Sequence, residues 1–170
     1  MVRLAPSEHY RFTQACPGSM DLTFGGAESS VAASVSMLGG SSRFVSALPR
    51  HAIADAFVRQ MRGFKVDVDH VLRREAGRFG IYYVESGANQ RPSRVIYDRD
   101  YSAVSMCSGE EYDWDSIFAD AQWLHISGIT LAISEAAAHA AILAAKKAQA
   151  AGVKVSCDLN FRKNLWRWRS

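Results

Sequence analysis

The spacing of apolar positions changes several times along the chain, and each change predicts an element. From 26 to 39, Val31, Val35 and Leu38 recur at helical spacing, and Gly39-Gly40 ends the run. A second helix is predicted over 51–62, with Ile53, Phe57 and Met61 on one stripe and Gly63 as its stop. Arg43 to Leu48 reads as a short strand. Residues 78–85 and 94–99 are rich in β-branched and aromatic side chains and flank the polar stretch SGANQRPS, which predicts a hairpin with a long loop. Residues 10–13 and 20–24 are weaker strand candidates around Pro17-Gly18. Trp123–Ser127 is a compact apolar strand, and 128–131 reads as a loop. Ser134 then reads as the N-cap of an alanine-rich helix that carries Glu135 in its first turn, Lys146 and Lys147 in its last, and Gly152 beyond its end. Val153–Cys157 is the next strand. Strand, helix and strand of these lengths predict a βαβ unit with parallel pairing.

Composition narrows this only modestly. The chain has 170 residues, 48% hydrophobic and 22% charged, which suits one globular domain. The net charge of +3 is spread along the chain, and the densest basic run, at Arg162-Lys163 and Arg167-Trp168-Arg169, reads as a solvated end rather than a nucleic-acid surface. Cys16, Cys107 and Cys157 stand far apart and form no metal-binding spacing, which fits a reducing compartment. No stretch approaches a membrane span and no apolar leader opens the chain, so a cytoplasmic location is expected.

Four constellations are candidates for chemistry. Thr23-Phe24-Gly25-Gly26-Ala27-Glu28 runs into a helix, and glycines there leave backbone N–H groups open to sugar hydroxyls or an anion. The same glycines also fit a plain tight turn. In the strand around Val95, Tyr97 and Arg99 share a face, with Tyr82 on the partner strand. Phenols beside a guanidinium suit a carboxylated polyol, since arginine grips a carboxylate bidentately. A surface strand with an aromatic pair and a salt bridge to Asp98 or Asp100 fits the pattern too. Asp158, Asn160 and Arg162 follow a strand, at the carboxyl end where α/β sheets bind ligands, and a loop with an Asx turn and an exposed arginine fits them too. His125 to Thr130 ends another strand, and His125 reads as a satisfied, half-buried histidine. No GxxxxGK[ST] phosphate loop occurs.

Taken in order, FGGAESSVAASVSMLGG, GIYYVESGANQRPSRVIYDRDYSA, HISGITLAIS and VSCDLNFRKNLW resemble the PfkB carbohydrate kinases, closest to their 2-keto-3-deoxygluconate branch. The resemblance implies a ribokinase-like α/β fold: a central, mainly parallel sheet flanked by helices, with a small β-sheet lid, truncated relative to the family. Residues 1–9, 25–77 and 108–170 would form the partial α/β domain, and 10–24 and 78–107 the lid. Carried over by position, Gly25, Gly26 and Ala27 resemble the sugar-contacting turn. Tyr82, Tyr97 and Arg99 resemble lid residues that hold an acid sugar, Ile129 a loop contact, and Arg162 the arginine at the sugar acid's polar end. Ser30 stands where many relatives have the longer Asn.

Relatives begin with a further strand ending in Gly-Glu or Gly-Asp just before the position of Met1, and their GAGD-type motif falls beyond Ser170. That motif supplies the catalytic base and the anion hole. The resemblance therefore implies ATP and Mg²⁺ for the full-length family enzyme, with no catalytic residue and no ATP site in this chain, which alone is expected to be inert. It also implies a homodimer through the lid, a sugar-acid substrate, and neither nucleic acid nor membrane as partner. The rival readings are a non-catalytic sugar-acid-binding or dimerisation fragment, and a kinase of a neutral sugar such as fructose.

Overall fold

A computed structural model describes residues 1–162, Leu165, Trp166 and Trp168. The Lys163, Arg167 and Arg169 part of the basic run lies outside the described residues.

Among the described residues, eight strands fall into three sheets. Strands β1 (Val2–Ala5), β2 (Asp21–Phe24), β5 (Ile81–Glu85) and β6 (Arg94–Asp98) form one mixed sheet in the order β2-β1-β5-β6. Strand β1 is antiparallel to β2 and parallel to β5, and β5 and β6 make the expected hairpin, with Tyr82 opposite Tyr97. The other two sheets are parallel pairs: β3 (Ser46–Pro49) with β4 (Val71–Arg74), and β7 (Trp123–Ser127) with β8 (Lys154–Asp158). Helices α2 (Ala27–Met37) and α3 (Ala52–Gly63) accompany the first pair. Helices α4 (Trp114–Phe118), α5 (Gly128–Ile133) and α6 (Glu135–Ala150) accompany the second.

The long elements follow the pattern that predicts them. Ser134 caps α6, its hydroxyl accepting the Ala137 N–H at 3.0 Å. Phe57 and Met61 of α3 are buried as the stripe requires, with Phe57 meeting Phe24 edge-on at 5.4 Å and Phe79 at 5.7 Å. Several local readings are corrected. Val2–Ala5, assigned with residues 1–9 to the α/β layer, are a central strand of the mixed sheet, where β2 and β5 satisfy both their edges. Residues expected as a strand at 10–13 enter instead a short helix, α1 (Phe12–Ala15), whose free N–H groups find the Gln14 side chain (from Arg11, 2.9 Å) and Glu85 (from Phe12, 2.9 Å). The loop expected at 128–131 is the helix α5, started by the Ser127 hydroxyl, which accepts the Ile129 N–H at 3.4 Å. The strand expected from Arg43 begins only at Ser46, with an isolated bridge from Arg43 to Asp67 before it.

The core is divided. One buried cluster joins Val2, Leu48, Phe57, Met61, Val66, Val71 and Phe79 around β3 and β4. A second joins Trp114, Ile117, Phe118, Ala144, Ala148 and Val153 around β7 and β8. Between them the predicted stripe of α2 is left open: Val31 is 38% and Val35 40% exposed.

Candidate functional site

The Gly25-Gly26 turn joins β2 to α2. The Gly25 N–H donates to the Met1 carbonyl at 3.0 Å, which holds the turn against β1. Gly26 is the N-cap of α2, its carbonyl accepting the Ser30 N–H at 3.0 Å, and Ala27 is the first helical residue. Gly25 faces Tyr82 so closely that a β-carbon there would collide with the phenol oxygen. Glycine is therefore required by close approach, and the collision partner is itself one of the candidate site residues.

The hairpin supplies the rest. Tyr82 and Tyr97 pair across β5 and β6 with their rings 6.4 Å apart. The Arg99 guanidinium lies 4.5 Å from the centre of the Tyr97 ring, a cation–π arrangement. Arg99 is only 9% exposed, and its Nη2 is buried without a hydrogen-bond partner among the described residues. Among the described residues its Nη1 meets only the Met1 sulfur, at 3.8 Å. Burial pushes the Arg99 pKa down, opposed by Tyr97 and Asp100, and burial pushes the Tyr82 phenol up. An arginine remains charged despite such a shift. A buried guanidinium N–H with no acceptor costs on the order of 1–3 kcal/mol, which an incoming anion would offset.

Gly26, Ala27, Arg99 and Ile129 line one cavity, together with Glu28 and Thr130. Glu28 accepts the Ser127 N–H at 3.1 Å and the Thr130 hydroxyl, so it ties the start of α2 to the end of β7. Sequence reasoning includes Glu28 and Thr130 in two separate candidate stretches but gives neither a role, because their contact joins segments about a hundred residues apart. His125 is satisfied by Ser156 at 2.8 Å, as expected.

Arg162 stands apart. It is exposed, and its Nε donates to the Asn160 side chain at 3.0 Å. Asn160 reaches the fully buried Ser127 hydroxyl at 3.5 Å, as does Asp158 at the same distance. Asp158 at the end of β8 and Asn160 and Arg162 beyond it are thus linked locally around Ser127. Gly25, Tyr82, Tyr97 and Arg99 converge by direct contact, and Arg162 is not among them.

Comparison with known proteins matches this arrangement to one family. The family model described as pfkB family carbohydrate kinase matches residues 6–170. The 2-dehydro-3-deoxygalactonokinase of Haloferax volcanii is 36% identical over 98% of this chain and 51% of its own length. A fructokinase of Salmonella typhimurium is 31% identical over 98% of this chain and 50% of its own length. The crystal structure of 2-dehydro-3-deoxygluconokinase from Thermotoga maritima superposes with a TM-score of 0.92 at 43% identity, over 98% of this chain and 50% of that one. The chain therefore spans about half the length of these relatives, and its fold is ribokinase-like. A match over nearly the whole sequence, with the fold to go with it, makes this chain a member of the pfkB family of carbohydrate kinases.

Proposed function

We propose that residues 1–170 are the sugar-acid-binding part of an ATP-dependent kinase that phosphorylates 2-keto-3-deoxygluconate, and that this stretch alone binds the sugar without phosphorylating it. The observation that carries the reading is Arg99, buried over Tyr97 with a guanidinium nitrogen that has no acceptor among the described residues, beside Tyr82 and the Gly25 turn. A carboxylate would supply the missing acceptor, the phenols would pack against the carbon chain, and the open N-terminus of α2 would meet hydroxyl or carboxylate oxygens. Relatives named for 2-dehydro-3-deoxy sugar acids support this substrate class.

ATP is the phosphoryl donor that the family implies. Among the described residues no group of three or more His, Cys, Asp or Glu side chains is placed to hold a metal ion, so no magnesium position is assigned. The role of this chain's residues is to bind and orient the sugar. Among the described residues no helix is long and apolar enough to cross a membrane. A cytoplasmic location is part of the same reading, supported by three free cysteines. So is a homodimer built through the mixed sheet, supported by the exposed Leu22, Val95 and Ile96.

Fructokinases among the relatives favour a second reading, a neutral sugar as substrate. Calorimetric titration with 2-keto-3-deoxygluconate and with fructose separates the two. The acid sugar is expected to bind about tenfold or more tightly, and Arg99→Met to erase that preference, since a charged hydrogen bond contributes roughly 1.5–3 kcal/mol. Equal affinity for fructose, or a preference that survives Arg99→Met, would overturn the assignment.

A further inference from the structure

The halves of the molecule are tied together at either end of β7. Arg43, three residues before β3, donates to Asp67 at 2.7 Å on the β4 side. It also donates to the Ile117 carbonyl at 2.7 Å and to Asp120 at 2.9 Å, just ahead of β7. That tie holds the beginnings of the strands. Strand β7 then runs for five residues, about 17 Å. Where it ends, Glu28 in the first turn of α2 accepts from Ser127 and from Thr130 of α5. Glu28 and Thr130 line the same cavity as Gly26, Ala27 and Ile129, so this second tie is made inside the candidate site.

The two bonds to Glu28 bracket Gly128 and Ile129. The Ser127 N–H and the Thr130 hydroxyl reach the same carboxylate oxygen, Oε1, so the residues between them are held at each end. The chain after β8 confines them as well. A β-carbon at Gly128 would collide with the Leu159 carbonyl oxygen. The Ser127 hydroxyl accepts the Ile129 N–H at 3.4 Å, and it also donates to Asp158 and accepts from Asn160, both at 3.5 Å. Ile129 itself is only half-buried, so packing of its side chain does not fix this segment unaided.

We propose that Glu28 is a positioning residue for sugar binding: through Ser127 and Thr130 it sets Gly128 and Ile129 against the Gly26–Ala27 turn. The inference rests on the reading of this end of the cavity as the sugar-acid site. The residue type fits support better than contact. A carboxylate beside an anionic ligand repels it, so Glu28 does not receive the ligand's acid group, which Arg99 attracts. Its own charge is offset by the two donors and by the N-terminus of α2, a helix of eleven residues. Glu28 also follows Ala27 directly along α2, so one side chain links the two walls of the site, the glycine turn and the start of α5. Binding sites depend on such supports, because a displacement of about 1 Å is enough to spoil them.

The test is calorimetric titration of the full chain with 2-keto-3-deoxygluconate. Glu28→Ala is expected to weaken binding about tenfold or more, and Glu28→Gln, which keeps an acceptor oxygen, to stay within about threefold of the parent. Thr130→Val removes the hydroxyl at nearly constant shape and is expected to weaken binding about threefold or more. Added to Glu28→Ala, it is expected to cost less than about twofold further, since both act through one bond. Arg43→Met opens the other tie and is expected to leave affinity within about twofold of the parent. Without sugar, amide exchange read by NMR is expected to be about tenfold faster at Ser127 in Glu28→Ala. Parent affinity in Glu28→Ala, or in Thr130→Val where the alanine variant does not fold, would overturn this inference alone. So would Glu28→Gln binding as weakly as Glu28→Ala, equal weakening by Arg43→Met, or unchanged exchange at Ser127. A parent chain that does not bind the sugar would overturn the substrate reading, and this inference with it.

Discussion

At the scale of single residues, the candidate site depends on a contact that neither partner announces alone. Two glycines before a helix are ambiguous, and a tyrosine in a strand is ordinary. Only the packed structure shows that the Gly25 position has no room because the Tyr82 hydroxyl occupies it. Gly25→Ala is therefore expected to cost about 1–3 kcal/mol in urea unfolding and to weaken sugar binding, as overpacking does. Tyr82→Phe on that background is expected to recover part of the stability, since it removes the atom closest to the new methyl. Tyr97 and Arg99 were legible for a simpler reason. Residues two apart in a strand share a face, so their stacking follows from the period alone. Arg162 was placed with them by resemblance, and its contact with Asn160 comes from a loop whose course no periodicity encodes.

At the scale of elements, strong periods were readable and weak ones were not. The hairpin, α3 and α6 follow their patterns to within a few residues. Strand β4, with the sequence Val-Leu-Arg-Arg, was missed because two arginines hide the alternation; Arg73 reaches Asp55 at 2.6 Å and Arg74 reaches Glu111 at 2.7 Å. Helix α5 was read as a loop because it is six residues long and starts at a glycine, a residue that on sequence grounds argues for a turn. Strand β6 is an edge strand with Val95, Ile96 and Tyr97 all more than 40% exposed, a liability that a dimer partner would cover. Ile96 points to the face opposite Tyr97. Ile96→Lys is therefore expected to shift the sedimentation coefficient from dimer to monomer while leaving sugar titration within about twofold of the parent. A wild-type chain that sediments as a monomer at micromolar concentration would remove the mixed sheet as an interface.

At the scale of the molecule, the α/β class and the parallel pairs were legible, and the division of the core was not, because the sequence shows which side chains want burial and not what covers them. Arg43 is the clasp between the halves. Burial pushes the Asp67 carboxyl up, but the Arg43 guanidinium and the Asp69 amide outweigh it, so the net shift is downward. A carboxyl depressed in the folded state contributes stability above its unfolded value near 4, and loses that contribution as pH falls through the folded value. Arg43→Met is accordingly expected to cost about 1–2 kcal/mol in denaturant unfolding at pH 7, with the difference from the parent shrinking below about pH 4. A deficit that stays constant from pH 7 to pH 3 would show that the clasp works by packing alone. The two larger apolar clusters also segregate along the chain, the first drawn from residues 2–79 and the second from 114–153. During synthesis at about 5–20 residues per second, the ribosome would release the first cluster complete several seconds before Val153 emerges. Its order of assembly is thus written into the direction of translation.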